Sequence, residues 1–126
     1  MENAFECNLI SPEKVLFSKK VEFVACPTEN GEIGILPNHA PLVATVGTGL
    51  VRINQGGAEL RFAVDKGFIE VRDNNVSILV TRAKTPESIA QKEISEKIEE
   101  LKKSDLGKTE NLHELEWLKT QLQIAR

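Results

Sequence analysis

The sequence predicts an α+β chain: an N-terminal antiparallel β-sandwich or barrel over residues 1–84, then a C-terminal antiparallel two-helix hairpin over residues 85–126. Three observations carry this expectation. Up to Lys84, apolar residues alternate with polar ones in short runs, separated by turn signals about every 8–12 positions. At Thr85 the apolar period lengthens to that of a helix. The 126 residues suffice for one small domain with an appendage, and with 40% apolar but only 5% aromatic residues the core is expected to be aliphatic.

Taken in order, Phe5, Cys7 and Leu9 alternate with Glu6 and Asn8, and Val21, Phe23 and Ala25 alternate with Glu22 and Val24. Leu50 to Ile53 leads into Asn54-Gln55-Gly56-Gly57, a hairpin-type turn. Ala58, Leu60, Phe62 and Val64 alternate with Glu59, Arg61 and Ala63 before a turn at Asp65-Lys66-Gly67. Phe68 to Val71 then reaches Asp73-Asn74-Asn75, and Val76, Ile78 and Val80 close the series. Thr85-Pro86-Glu87 reads as a helix start: a hydroxyl cap, proline at the first position and an acid at the positive end of the dipole. Ala90, Ile94, Ile98 and Leu101 follow at helical spacing, with Glu93–Lys97 and Glu99–Lys103 as outward i,i+4 pairs. Residues 104–108 break the helix. Thr109 or Asn111 caps a second one, Asn111 with Glu114 forming a capping box, and its stripe is Leu112, Leu115, Leu118, Leu122 and Ala125. Helices this short are marginal alone, so the hairpin must dock on the sheet or on a partner.

Net charge is −3, with no basic excess to neutralise phosphates, which argues against nucleic acid. Met1-Glu2-Asn3 is acidic and no apolar core follows, so no export signal is expected, and Cys7 and Cys26 are read as buried thiols in a reducing compartment. No apolar run reaches the roughly 18–20 residues that span a bilayer. Gly107-Lys108-Thr109 lacks the earlier glycine and strand of a phosphate loop. His113-Glu114 has Trp117 where a zinc helix needs its second histidine, so His113 is read as a surface helix residue and no metal is expected. Asn75-Val76-Ser77 is read as a turn rather than a glycosylation site, and Asp65, Glu70 and Asp73 as scattered turn and face acids. Trp117, beside the second helix's stripe, is either core or a docking anchor. No catalytic constellation appears, so an enzyme is the least favoured class.

The most informative stretch is Gly31 to Val43. Gly31 and Gly34 permit positive φ or close approach, Pro37-Asn38 is a turn dipeptide, and Ala40 before Pro41 is forced extended. The product is a stiff, irregular loop. Gly31-Glu32-Ile33-Gly34-Ile35-Leu36-Pro37-Asn38-His39-Ala40-Pro41-Leu42 closely resembles the signature loop of the epsilon subunit of bacterial F-type ATP synthases. Lys66-Gly67-Phe68-Ile69-Glu70-Val71 is similar to that family's Gly-Gly-Phe-Leu-Glu-Val strand start, and Ile10-Ser11-Pro12-Glu13, Val15 to Ser18 and Asn75 to Val80 also fit, so the likeness spans essentially the whole chain.

The resemblance implies a non-catalytic rotor subunit on the cytoplasmic face of the cell membrane, peripheral to it. It would couple the membrane c-ring of a proton- or sodium-translocating synthase to the gamma subunit. Glu29, Glu32 and His39 would face the c-ring, and Ser11, Ala40, Pro41, Leu42 and Thr45 would face gamma. The hairpin would be a movable arm that restrains ATP hydrolysis when extended towards the catalytic alpha and beta subunits, using Lys92, Lys97, Lys102, Lys103, Lys108, Trp117, Lys119 and Arg126. Residues 85–126 carry nine acids against seven basic groups, a net −2, which is a poor charge set for an electrostatic brake. Some relatives bind ATP through an Ile/Leu-Asp-x-x-Arg-Ala motif. Glu87 and Ala90 stand at its aspartate and arginine, so the guanidinium fork is missing and no cofactor is expected. The alternative reading is a free-standing small-ligand-binding module with a pocket between sandwich and hairpin.

Overall fold

The computed structural model describes residues 3–126. Met1 and Glu2, which enter the export argument, lie outside the described residues. Eight strands come first: β1 (Phe5–Ile10), β2 (Val15–Val21), β3 (Phe23–Thr28), β4 (Gly31–Ile35), β5 (Leu42–Val46), β6 (Gly49–Gln55), β7 (Ala58–Arg72) and β8 (Asn75–Lys84). Helices α1 (Gln91–Lys102) and α2 (Thr109–Leu122) follow. The α+β expectation therefore holds, with the change from strand to helix at Lys84.

β7 joins the layers of the sandwich. Its first half, from Ala58 to Val64, pairs with β6, and its second half, from Gly67 to Val71, pairs with β5, while β8 runs beside it from Ala63 to Arg72. The expected turn at Asp65-Lys66-Gly67 is instead a bend within one strand, with Lys66 at φ 51 where the partner changes. Gly67 is obligatory at this bend, because a Cβ there would collide with the backbone carbonyl of Leu79 on β8. The pairing is antiparallel throughout except between β1 and β8, which run parallel with Cys7 opposite Val76. Parallel neighbours need a long connection, and here the rest of the β-domain supplies it.

The core is mainly aliphatic: Leu9, Val21, Val24, Ile35, Val46, Val51, Ile53, Val64, Ile69, Val71, Val76 and Ile78 are all buried, joined by Phe5, Phe17 and Phe62. Cys7 and Cys26 lie within it as free thiols. Burial pushes both up to about 12, because a thiolate would have to be desolvated. One strand pattern is corrected. The chain breaks at Glu22, between β2 and β3, so Val24 and Cys26 face the core while Phe23 is only half-buried.

The hairpin forms with altered starts. Pro86–Ser88 is a single 3-10 turn, closed by Ser88 Oγ, which accepts from Thr85 N–H at 3.1 Å and donates to Thr85 O at 2.9 Å. Ile89 and Ala90 are then extended, so α1 starts at Gln91 and exposed Ala90 leaves the stripe, while Ile89 buries in the hairpin junction. The Asn111–Glu114 capping box does not form. Asn111 Nδ2 donates to Asp105 O at 2.8 Å, Glu114 turns towards Arg82, and α2 begins at Thr109. Leu112 is 51% exposed and drops out of the stripe, whereas Trp117 is buried within it. The α1 ion pair that closes is Lys102–Glu99 at 3.7 Å, rather than Glu93–Lys97 or Glu99–Lys103. Ile94, Ile98, Leu115 and Leu118 pack between the helices, and Leu50 and Ala63 receive them from the sheet. Ala63, expected on an outer face, is fully buried for that reason.

Candidate functional site

The Gly31–Val43 stretch folds as β4, a six-residue loop and the start of β5. Gly31 takes φ 110, and Gly34 lets the Phe23 ring approach to 3.1 Å of where its Cβ would stand. Asn38 sits at φ 64, the left-handed corner that Pro37-Asn38 calls for. His39 N–H closes the turn on Leu36 O at 3.2 Å. Asn74, in the β7–β8 turn at φ 60, ties the loop down. Its Oδ1 accepts from Asn38 N–H at 2.7 Å and its Nδ2 donates to Ala4 O at 3.0 Å. The loop is thus stitched to the body of the domain by a residue that sequence reasoning used only as a turn marker.

The residues expected to face two partners interleave. Glu29 lies in the β3–β4 turn, its N–H bonded to Thr45 O at 3.1 Å, so a c-ring candidate and a gamma candidate are neighbours. Glu32 is exposed on β4 and pairs with Arg52 Nη2 at 2.7 Å. His39, in the loop beyond the far end of β4, holds its Nδ1 2.6 Å from Ala40 O, while Ala40 and Pro41 are exposed and Leu42 half-buried. Ser11 follows Ile10, whose register continues through Leu79 and Phe68 to Thr45. Thr45 therefore ends one transverse row on the outer face whose other end, Ile10, precedes Ser11, and Asn8, Ser77, Glu70 and Val43 form the next. Val43 is 69% exposed and Phe68 46%, large apolar groups that a sheet ordinarily buries. Sequence reasoning missed both. The signal was the alternation of β5 and β7, which aims Val43 and Phe68 opposite to buried Val46 and Ile69.

A second constellation lies at the hairpin junction. Asp65 is 2% exposed. Its Oδ1 accepts from Thr48 Oγ1 at 2.7 Å, and its Oδ2 accepts from Arg82 Nε at 2.9 Å and Nη2 at 2.7 Å. His113 Nε2, on α2, lies 3.0 Å from Oδ1 and 3.1 Å from Oδ2. Arg82 also reaches Glu114 Oε2 at 3.0 Å, and its guanidinium covers the Trp117 ring at 5.1 Å. Burial alone would raise the Asp65 carboxyl, but the bonds from Thr48, Arg82 and His113 outweigh it and hold the group below its ordinary value. Desolvation likewise opposes the charge on Arg82, and Asp65 and Glu114 more than restore it. Asp65 is therefore no turn acid and His113 no free surface residue.

The expected basic residues of the arm, Lys92, Lys97, Lys102, Lys103, Lys108, Lys119 and Arg126, are exposed, with Arg126 Nη1 paired to Glu87 Oε1 at 2.8 Å. Trp117 points instead into the junction. Among the described residues no cluster with metal-ligating composition occurs, and no helix is long and apolar enough to cross a membrane.

Residues 4–86 match the family model described as the ATP synthase delta/epsilon chain β-sandwich domain. The chain belongs to the ATP synthase delta/epsilon family. Similar proteins include the ATP synthase epsilon chain of Leptospira borgpetersenii serovar Hardjo-bovis, 45% identical over 101 residues, covering 78% of this chain and 80% of that one. The ATP synthase epsilon chain of Leptospira interrogans serovar Lai is 37% identical over 123 residues, covering 98% and 96%. A chain in the mitochondrial ATP synthase of Euglena gracilis shares the fold, with TM-score 0.75 and 21% identity over 96% of this chain and 76% of that one. As a member of the ATP synthase delta/epsilon family, the chain is a non-catalytic accessory subunit of the ATP synthase complex. This sets aside both the free-standing ligand-binding module and the enzyme.

Proposed function

We propose that this chain couples the membrane ring of a proton- or sodium-driven synthase to its gamma subunit, on the cytoplasmic face of the cell membrane. In this reading residues 1–84 are the attachment domain and residues 85–126 a regulatory arm. Glu29, Glu32 and His39 meet polar loops of the ring, and Ser11, Ala40, Pro41, Leu42 and Thr45 lie towards gamma. The arm, docked on the sheet here, restrains hydrolysis when it extends towards the catalytic subunits, where its exposed lysines meet acidic segments.

The observation that carries the coupling role is the outer apolar patch. Val43 and Phe68 stand exposed on adjacent rows of the sheet, with Thr45 opposite Phe68. A partner covering them gains about 25 cal/mol per Å² of apolar surface buried, and the stitched loop beside them transmits torque without bending. Phe68→Glu tests this: gamma should no longer co-purify, while the isolated chain keeps its circular dichroism. Retained co-purification overturns the assignment. With Ala90 at the arginine position of the nucleotide motif, millimolar ATP should show no saturable heat of binding.

A further inference from the structure

We propose that Asp65, Thr48 and Arg82 on the sandwich, with His113 and Glu114 on α2, form a latch that sets how firmly the hairpin stays docked. The inference deepens the arm reading above and rests on it for its physiological sense, though not for its test.

The argument concerns what undocking would break. Most of the hairpin's apolar stripe is internal: Ile94, Ile98, Leu115 and Leu118 can stay packed on one another if the hairpin leaves as a unit. What the sheet holds is narrower, chiefly the junction with Leu50, Ala63 and Trp117, together with the polar cluster. Within that cluster the sandwich half is complete by itself. Asp65 keeps Thr48 on Oδ1 and Arg82 on Oδ2 whether or not α2 is present. Release of α2 therefore strands no buried charge, and the heavy penalty for orphaning one partner of a buried ion pair is avoided. The bonds given up are the two that α2 contributes, His113 Nε2 to the Asp65 carboxylate and Glu114 to Arg82, and with them goes the stacking of Trp117 under the guanidinium. The carboxylate only accepts, so His113 Nε2 carries the hydrogen. A contact set satisfied in both states, yet richer when docked, is what a reversible element requires. His113 and Glu114 are positioning residues in this scheme.

The test uses the full chain and hydrogen exchange, read separately on α1–α2 and on β3, β7 and β8. His113→Ala should speed exchange of the hairpin amides about tenfold, the effect of losing one charge-assisted bond, while the strands keep their protection. Trp117, the single tryptophan, should shift its emission to the red. Glu114→Gln should act the same way, more weakly. Asp65→Asn combined with His113→Ala should cost less than the two changes summed, because both remove one contact. Unchanged hairpin exchange, additive effects, or acceleration spread evenly over the strands would each overturn the latch. Hydrolysis by the assembled synthase separates the two readings. If the variants loosen the hairpin and hydrolysis stays constant, the latch stands and the brake falls. If hydrolysis falls with no change in exchange, the latch falls.

Discussion

Gly67→Ala should be among the most damaging single-methyl additions this chain can receive. Gly67 is paired with Val80 and its neighbour Phe68 with Leu79, so β7 and β8 are in close register at this point. The added Cβ would fall on the Leu79 carbonyl oxygen, with the Leu79 carbonyl carbon and the Val80 Cα each only 2.8 Å away. These are backbone atoms, so no rotamer change relieves the collision and the strands must part. Two ladder hydrogen bonds at about 1 kcal/mol each, plus loosened packing under Ile69 and Ile78, give a loss of roughly 3–5 kcal/mol. That is a large part of the roughly 5–15 kcal/mol that holds a domain folded. Urea unfolding followed by far-ultraviolet circular dichroism would show the midpoint falling at nearly constant slope. Gly47→Ala is the control, since its Cβ would meet the Thr28 carbonyl oxygen and carbon at an ordinary 3.8 and 3.9 Å. A loss below about 1 kcal/mol for Gly67→Ala, or equal losses for both variants, would refute the steric reasoning.

Cys7 and Cys26, buried and pushed up to about 12, should resist iodoacetamide in the native chain at pH 8 and react fully in denaturant; rapid native labelling would contradict their placement. The Asp65 carboxyl is held below its ordinary 3.8, so its contribution to stability is complete above that pH and drains away as pH falls through the lower, folded value. The gap in melting temperature between the native chain and Asp65→Asn should therefore close in acid, and a gap constant down to about pH 2 would count against the geometry. A fragment ending at Lys84 should remain a cooperative β-rich domain, less stable because Leu50 and Ala63 lose their cover; an unfolded fragment would show that the hairpin is integral to the fold. The same deletion in the assembled synthase should raise ATP hydrolysis while preserving assembly, and unchanged hydrolysis would reduce the hairpin to a structural cap.

What was legible in the sequence was local. The Gly56-Gly57 turn, the left-handed Asn38 and the alternation of Val76, Ile78 and Val80 each follow from one residue's conformational limits or from a period of two, and each is found. The helix starts were misjudged because a cap signature says where a helix can begin. At Thr85 the pull of Ile89 into the hairpin junction postpones α1 to Gln91. The junction itself was illegible for a different reason. Asp65, Arg82 and His113 are scattered along the chain, and only the β7–β8 register and the docking of α2 bring them together. Their residue types are those of an ordinary wet surface, so nothing short of the tertiary contact sets them apart. The exposed patch was passed over: apolar type alone does not mark Val43 and Phe68, and only the face to which each strand turns them sets them apart.

The parallel pairing of β1 with β8 bears on how the chain is made. As the chain leaves the ribosome, β1 can close on β2 at once, since Leu9 and Phe17 are near in sequence. Its other edge must wait for Val76 to Leu79, the partners of Cys7 to Ile10. Until β8 emerges, that edge presents unpaired backbone groups to solvent, and edges of this kind recruit stray strands. Lys19 and Lys20 on neighbouring β2 are exposed, and charge of that kind discourages such pairing. Completion of the sheet is thus deferred until β8 has been synthesised, and α1 and α2, which follow it, arrive to find their docking surface newly closed.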